Sequence, residues 1–133
     1  MNWMLDTNAC IRYLNGRAPI LKKRIDAAKP GLLCVCSVVK AELFYGAAKS
    51  NDPTRTLAAQ RNFLSLFQSL GFDDAAAEAY GRIRAELELK GKPIGPNDLL
   101  IAAIASANAV MLVTHNVDEF SRISNLLIED WEV

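Results

Sequence analysis

The sequence predicts an α/β fold, a three-layer α/β/α sandwich around a mostly parallel central sheet. Three observations carry this. Residues 2–5, 32–36 and 110–114 are short apolar runs with almost no polar side chain, as in strands covered on both faces. The stretches between them space their apolar residues as helices do. Strands separated by connections of that length pair in parallel, through right-handed crossovers.

The elements follow in order. The first strand stops at Asp6-Thr7-Asn8, a group that favours a helix start before Ala9-Cys10-Ile11-Arg12-Tyr13-Leu14. A second helix covers 19–28, and Pro30-Gly31 turns the chain into the strand at 32–36. Ser37 can cap the next helix, which runs to about 49. Two helices, 55–69 and 75–90, flank Leu70-Gly71-Phe72-Asp73, where a short strand fits. Gly91-Lys92-Pro93-Ile94-Gly95-Pro96 is a loop, and Asn97-Asp98 opens a helix to 108. The strand at 110–114, a short helix at 118–123 and a strand at 127–129 close the chain.

With 133 residues, 51% of them hydrophobic, the chain is expected to form one domain, 1–133, with a sizeable core. Fifteen Lys and Arg balance fifteen Asp and Glu, so any polyanion must be held by a local patch and not by a global field. The start lacks a basic region followed by a long apolar one, and the apolar stretch at 99–113 is short and interrupted by Ser106 and Asn108. A cytoplasmic protein without a membrane segment is expected. Three cysteines in a reducing compartment imply no disulfide framework.

Ligands of open α/β sheets bind in the crevice beyond the carboxyl ends of the strands. Four acids are expected there from four segments: Asp6 after the first strand, Glu42 in the helix after the second, Asp98 at a later helix start, and Glu119 after the strand at 110–114. Each also has a plainer role. Asp6 and Asp98 suit helix caps, worth about 1 kcal/mol each, and Glu119 suits the first turn of a helix. Glu42 stands in the apolar segment Ala41-Glu42-Leu43-Phe44-Tyr45, where partial burial calls for a nearby cation. Clustered carboxylates select magnesium, or manganese in its place, and an ion of that kind suits phosphodiester chemistry.

Other chemistries lack parts. His115 is the only histidine, so no pair of histidines serves as acid and base. No two glycines lie two apart, which excludes the dinucleotide fingerprint, and no P-loop is present. A zinc set from Cys10, Cys34, Cys36 and His115, or a Cys10/His115 nucleophile, is weakly supported, because Cys34 and Cys36 read as small buried strand residues.

With these acids in view, the chain resembles the PIN-domain endoribonucleases, and among them the VapC-type toxins of bacterial toxin–antitoxin pairs. The motifs are Met4-Leu5-Asp6-Thr7-Asn8, Ser37-Val38-Val39-Lys40-Ala41-Glu42-Leu43 with Tyr45-Gly46, and Ile94-Gly95-Pro96-Asn97-Asp98-Leu99-Leu100-Ile101-Ala102-Ala103. Val113-Thr114-His115-Asn116 with Glu119-Phe120, and Glu129-Asp130-Trp131, complete them. The resemblance implies Asp6, Glu42 and Asp98 as the acidic core. Asp6 and Asp98 would be the firmest magnesium ligands, with Glu42 acting directly or through a water. Thr7, Asn8 and Thr114 would be polar supports. Asn116 stands where many relatives carry an Asp, so it joins the supports and Glu119 is the acid that would replace it. His115 departs from the polar residue common at its place.

The resemblance further implies a structured RNA substrate, tRNA or ribosomal RNA, and a cognate antitoxin that blocks the crevice and carries operator DNA. A homodimer is implied as well. For the RNA backbone the sequence offers Lys22-Lys23-Arg24, Arg82, Arg84, Lys90 and Lys92, which equally suit solvated helix faces. Two alternatives stay open: a PIN-like RNA-binding module that has lost catalysis, and a phosphoacceptor signalling domain. The second lacks paired acids beside Asp6 and a lysine after the last strand.

Overall fold

The computed structural model describes residues 2–133. β1 (Trp3–Leu5) leads into α1 (Thr7–Asn15) and α2 (Pro19–Ala27). β2 (Leu33–Cys36) is followed by α3 (Ser37–Ala48) and α4 (Pro53–Leu64), then β3 (Gln68–Leu70), α5 (Asp74–Leu89) and α6 (Pro96–Ala107). β4 (Met111–Val113), α7 (Val117–Phe120) and β5 (Ile128–Glu129) end the chain.

The strands pair in the order β3-β2-β1-β4-β5 and every pairing is parallel. Right-handed crossovers therefore place α1 to α4 on one face and α5 and α6 on the other, the three-layer sandwich expected. The strand order reverses between β1 and β4, where Leu5 lies opposite Val113. Beyond that point the Asp6 amide still donates to the Val113 carbonyl at 3.1 Å, and the Thr114 amide donates to Glu129 at 2.9 Å. The exits of β1 and β4 are thus pinned side by side, at the place where such sheets bind ligands.

The core fills both sides of the sheet. Met4, Leu5, Leu33, Val35 and Leu112 are almost completely buried, and Ile101 to Ala105 of α6 are all fully enclosed. The small residues of α6 let it lie close against the sheet and α5. At the far edge, Glu129 accepts from the indoles of Trp3 at 3.0 Å and Trp131 at 2.8 Å, whose rings meet edge to face. That contact ties the chain's end to its first strand.

Several boundaries differ from expectation. The helix expected at 55–69 is α4, shifted earlier because Asp52 caps it through the Arg55 amide and Pro53 occupies its first position. The strand expected at 70–73 is β3, whose Gln68 and Ser69 pair with Cys34 and Val35. It is an edge strand with only Leu70 buried, so its polar residues hid it from hydropathy. Ser37 is no cap: Cys36 holds that position, and the Ser37 hydroxyl donates to the Leu70 carbonyl at 3.4 Å. Asp98 is no cap either, since Gly95 precedes the helix and Asp98 lies in its first turn. The helix expected at 118–123 is confined to α7. Among the described residues no helix is long and apolar enough to cross a membrane.

Candidate active site

Asp6 is 5% exposed and caps α1, its Oδ1 accepting the Ala9 amide at 2.8 Å. Burial raises its carboxyl to about 6, opposed by the Thr114 hydroxyl and the Ala9 amide, while the charges of Glu132 and Glu42 push further upward. Asp98, in the first turn of α6, is also raised to about 6. Burial is the largest cause there. The negative charges of Glu119, Glu42 and Asp6 follow, with a hydrogen bond to Glu119. The four acids from four segments therefore act on one another in one place.

Glu42 is half-buried on α3, and both of its oxygens are held. Thr7 Oγ1 donates to Oε1 at 2.5 Å and Asn97 Nδ2 donates to Oε2 at 3.3 Å. No side-chain cation among the described residues pairs with it, and these two neutral donors hold its oxygens. Among the described residues, no ion pair involves Asp6, Glu42, Asp98 or Glu119. Negative charge thus collects here with no lysine or arginine paired to these four acids. Thr7, Asn8, Glu42 and Asn97 line one open cleft of about 720 Å³.

The donor set is oxygen only, which fits a hard divalent cation and not zinc. Among the described residues no three Asp, Glu, His or Cys side chains are gathered tightly enough to chelate an ion by themselves. Magnesium does not require that, since it usually takes one or two carboxylates and keeps several waters. The zinc and thiol readings fail on position. All three cysteines are buried, burial and the Asp6 charge raise the Cys10 thiol, and burial raises Cys34 to about 11. His115 lies on the surface, paired to Asp130 at 2.9 Å, and that bond raises its pKa.

The sequence model of the PIN domain matches residues 3–126. The chain belongs to the PIN domain family. Its relatives place this PIN domain among the VapC ribonucleases: it is 41% identical to the tRNA(fMet)-specific endonuclease VapC of Shigella flexneri over 98% of each chain. It also superposes on the crystal structure of DNA-bound VapBC from Salmonella typhimurium, with a TM-score of 0.93, 40% identity and 98% of each chain covered. The VapBC2 structure from Rickettsia felis, bound to a DNA fragment from its promoter, gives a TM-score of 0.91 at 38% identity, covering 98% of this chain and 99% of that one.

Around the acids of this PIN domain, Thr114 is buried behind Asp6, and its hydroxyl accepts the Asn116 amide at 3.0 Å. Asn116 thus steadies Thr114 through its backbone. The basic residues named from sequence do not line the Glu42 cleft. Arg84 pairs with Glu88 at 3.0 Å and also bonds Tyr80, Lys90 pairs with Glu86 at 2.9 Å, and Arg82 bonds Ser106. Lys90 and Lys92 face a separate hollow with Asp118 and Arg122. Lys22 pairs with Asp26, and Arg24 lies over the Trp131 ring. Sequence reasoning missed Asn97, although its place beside Asp98 in a helix's first turn was a usable signal. It also missed Glu132, which bonds Arg12 at 2.7 Å and adds its field to Asp6 from beyond the last strand.

Proposed function

We propose that this VapC-type ribonuclease is a magnesium-dependent endoribonuclease toxin that hydrolyses phosphodiester bonds of structured RNA, tRNA or ribosomal RNA, and that a cognate antitoxin neutralises it. The observation that carries this reading is Asp98, which feels Glu119, Glu42 and Asp6 together with no cationic side chain in the group. When bound, magnesium or manganese would offset the charge that develops on a reacting phosphate and make nearby water more acidic.

The chain's own residues do the rest. Asp6 and Asp98 would hold the ion, and the α1 cap and the first turn of α6 fix where they stand. Glu42 is aimed by Thr7 and Asn97, and it assists directly or through a water. Asp98 shares a hydrogen bond with Glu119, which favours its protonated form while no ion is bound. Thr114 and Asn116 set the wall behind Asp6, and Asn8 offers a polar contact at the cleft.

The test is incubation of the purified protein with total RNA and magnesium, followed by mapping of the new ends. A few discrete sites in tRNA or ribosomal RNA are expected, with 5′-phosphate and 3′-hydroxyl termini, because the 2′-hydroxyl need not take part. A 2′,3′-cyclic phosphate would refute the mechanism.

The antitoxin reading draws support from the solved VapBC relatives and from a second groove on α1, α3 and α4. Leu14, 36% exposed, lines it with Ile11, Leu43 and Ala59, and the buried Gln60 Oε1 at its floor has no hydrogen-bond partner. Such a groove suits an apolar segment. Replacing Leu14 with Asp should raise the antitoxin concentration needed for half-inhibition by at least about tenfold, given the usual cost of truncating or charging an anchor. Unchanged inhibition would move the interface elsewhere. Operator DNA would be reached through the antitoxin, and the toxin is read as a homodimer.

A further inference from the structure

Two features of α3 lie outside the core. Tyr45 is 66% exposed, and its hydroxyl has no hydrogen-bond partner among the described residues. Gly46 follows it inside the helix, where glycine is a poorer helix former than alanine. A Cβ at Gly46 would meet nothing within 4 Å, so no packing contact of the chain requires the glycine. Both residues line the cleft that contains Glu42.

Tyr45 lies one turn along the helix from Glu42, and one turn further Lys49 sets its Nζ 4.7 Å from the ring centroid. Lys49 lines the same cleft. The cleft therefore has a carboxylate end and, beside it, an aromatic ring with a cation. An exposed face meant for a protein partner would carry further large apolar side chains around the ring. The residues three and four positions away are instead Ala41, Glu42, Ala48 and, just past the helix end, Lys49, and the cleft's larger apolar side chains, Ile11, Val38 and Leu100, come from α1, the start of α3 and α6. A flat ring with one cation matches a nucleobase and its phosphate, and base-on-aromatic contacts are the common means of holding single-stranded RNA.

We propose that Tyr45 and Lys49 form a stacking subsite for one unpaired RNA base next to the cleaved bond, with Lys49 meeting the adjoining phosphate and Gly46 leaving the approach open. The inference rests on the reading of the cleft as a ribonuclease site. It makes the enzyme select a bond flanked by an unpaired nucleotide, whatever that base is.

The probe is an RNA hairpin with an unpaired loop, cut in magnesium by the full-length protein. Single abasic positions are walked through the loop, and 2-aminopurine fluorescence is read on the uncut hairpin in an Asp98→Asn background. Tyr45→Ala and Tyr45→Leu should raise KM about tenfold with kcat nearly unchanged, while Tyr45→Phe and Tyr45→Trp retain the wild-type KM. One abasic position should cost the wild type the same factor and cost Tyr45→Ala nothing more. Quenching of 2-aminopurine at that position should vanish with the ring. A Tyr45→Leu protein with wild-type KM, or an indifferent Tyr45→Ala, would refute the subsite. A change in oligomeric state on sedimentation of Tyr45→Ala would refute it too, by assigning the ring to a contact between chains. Wild-type protein that leaves the hairpin intact would refute the ribonuclease reading as well, whereas cutting by wild type with an indifferent Tyr45→Ala removes the subsite alone.

Discussion

Asp98→Asn should lower RNA cleavage by about a thousandfold, comparable to losing a principal electrostatic group of an active site, and should raise the melting temperature measured without divalent ions at pH 7.5. Both effects come from one charge. The amide keeps the shape of the side chain in the first turn of α6, but it no longer repels Glu119, Glu42 and Asp6. The carboxyl of Asp98 is raised to about 6 in the folded chain against 3.8 ordinarily. An acid whose folded value lies above its unfolded value favours the fold while protonated. That contribution is full below about pH 4 and is lost as the pH rises through about 6. In the ion-free wild type, Asp98 therefore opposes folding at pH 7.5, and the amide removes that opposition.

Asp6→Asn should behave in the same way, because its Oδ1 can still accept the Ala9 amide. With Asp6 nearly inaccessible and moved from 3.8 to about 6, its ionisation withholds on the order of 3 kcal/mol from the ion-free fold at neutral pH. Thermal unfolding from pH 4 to 8, beside cleavage rates, separates the outcomes. A variant that loses stability and keeps its activity would make that acid a structural residue and nothing more.

How much of this was legible in the sequence depends on where each signal lives. Asp6 is announced by local chain order: an apolar run stops at an acid, and the acid begins a helix. Glu42 is announced by contrast, a charge inside an apolar segment. Both signals are local, so both survive in one dimension. Asp98 was legible as a member of the rim, but its assignment as a cap failed because Gly95 and Pro96 start the helix earlier. Glu119 carried the faintest signal, yet among charges it weighs most on Asp98. Only the return of the chain over the rim after β4 brings it there.

The same limit explains the misses. Asn97 matters through Glu42, fifty-five positions away, and Glu132 acts on Asp6 across the whole chain. The basic residues follow a different rule. Arg84 has Glu88, and Lys90 has Glu86, one helical turn away, a spacing visible in the sequence that commits each cation to its own helix. Lys49 has no acid at that spacing toward the start of its helix; Tyr45 stands there instead. β3 was misplaced because an edge strand needs only one buried side chain to keep its register.

Chelation should abolish cleavage, and magnesium or manganese should restore it, with ion affinity falling steeply below about pH 6. Asp6 and Asp98 each reach about 6, so at pH 7.5 both are largely ionised and able to hold a cation. Below pH 6 each must release a proton before it can do so. With two such groups, affinity should drop by up to about a hundredfold for each pH unit. An ion held by these acids would bind the folded chain alone, so saturating magnesium should stabilise the fold by roughly 2.7 kcal/mol at a hundred times its Kd. The gain should be largest where the ion-free fold is weakest, above pH 6, because the cation offsets the repulsion that ionisation creates. Asp98→Asn should lose most of the magnesium-dependent rise in melting temperature, since its own stabilisation has already removed what the ion would relieve. Cleavage that persists in excess chelator, or a melting temperature indifferent to both ions at pH 7.5, would mean that the carboxylates meet for some purpose other than holding a metal.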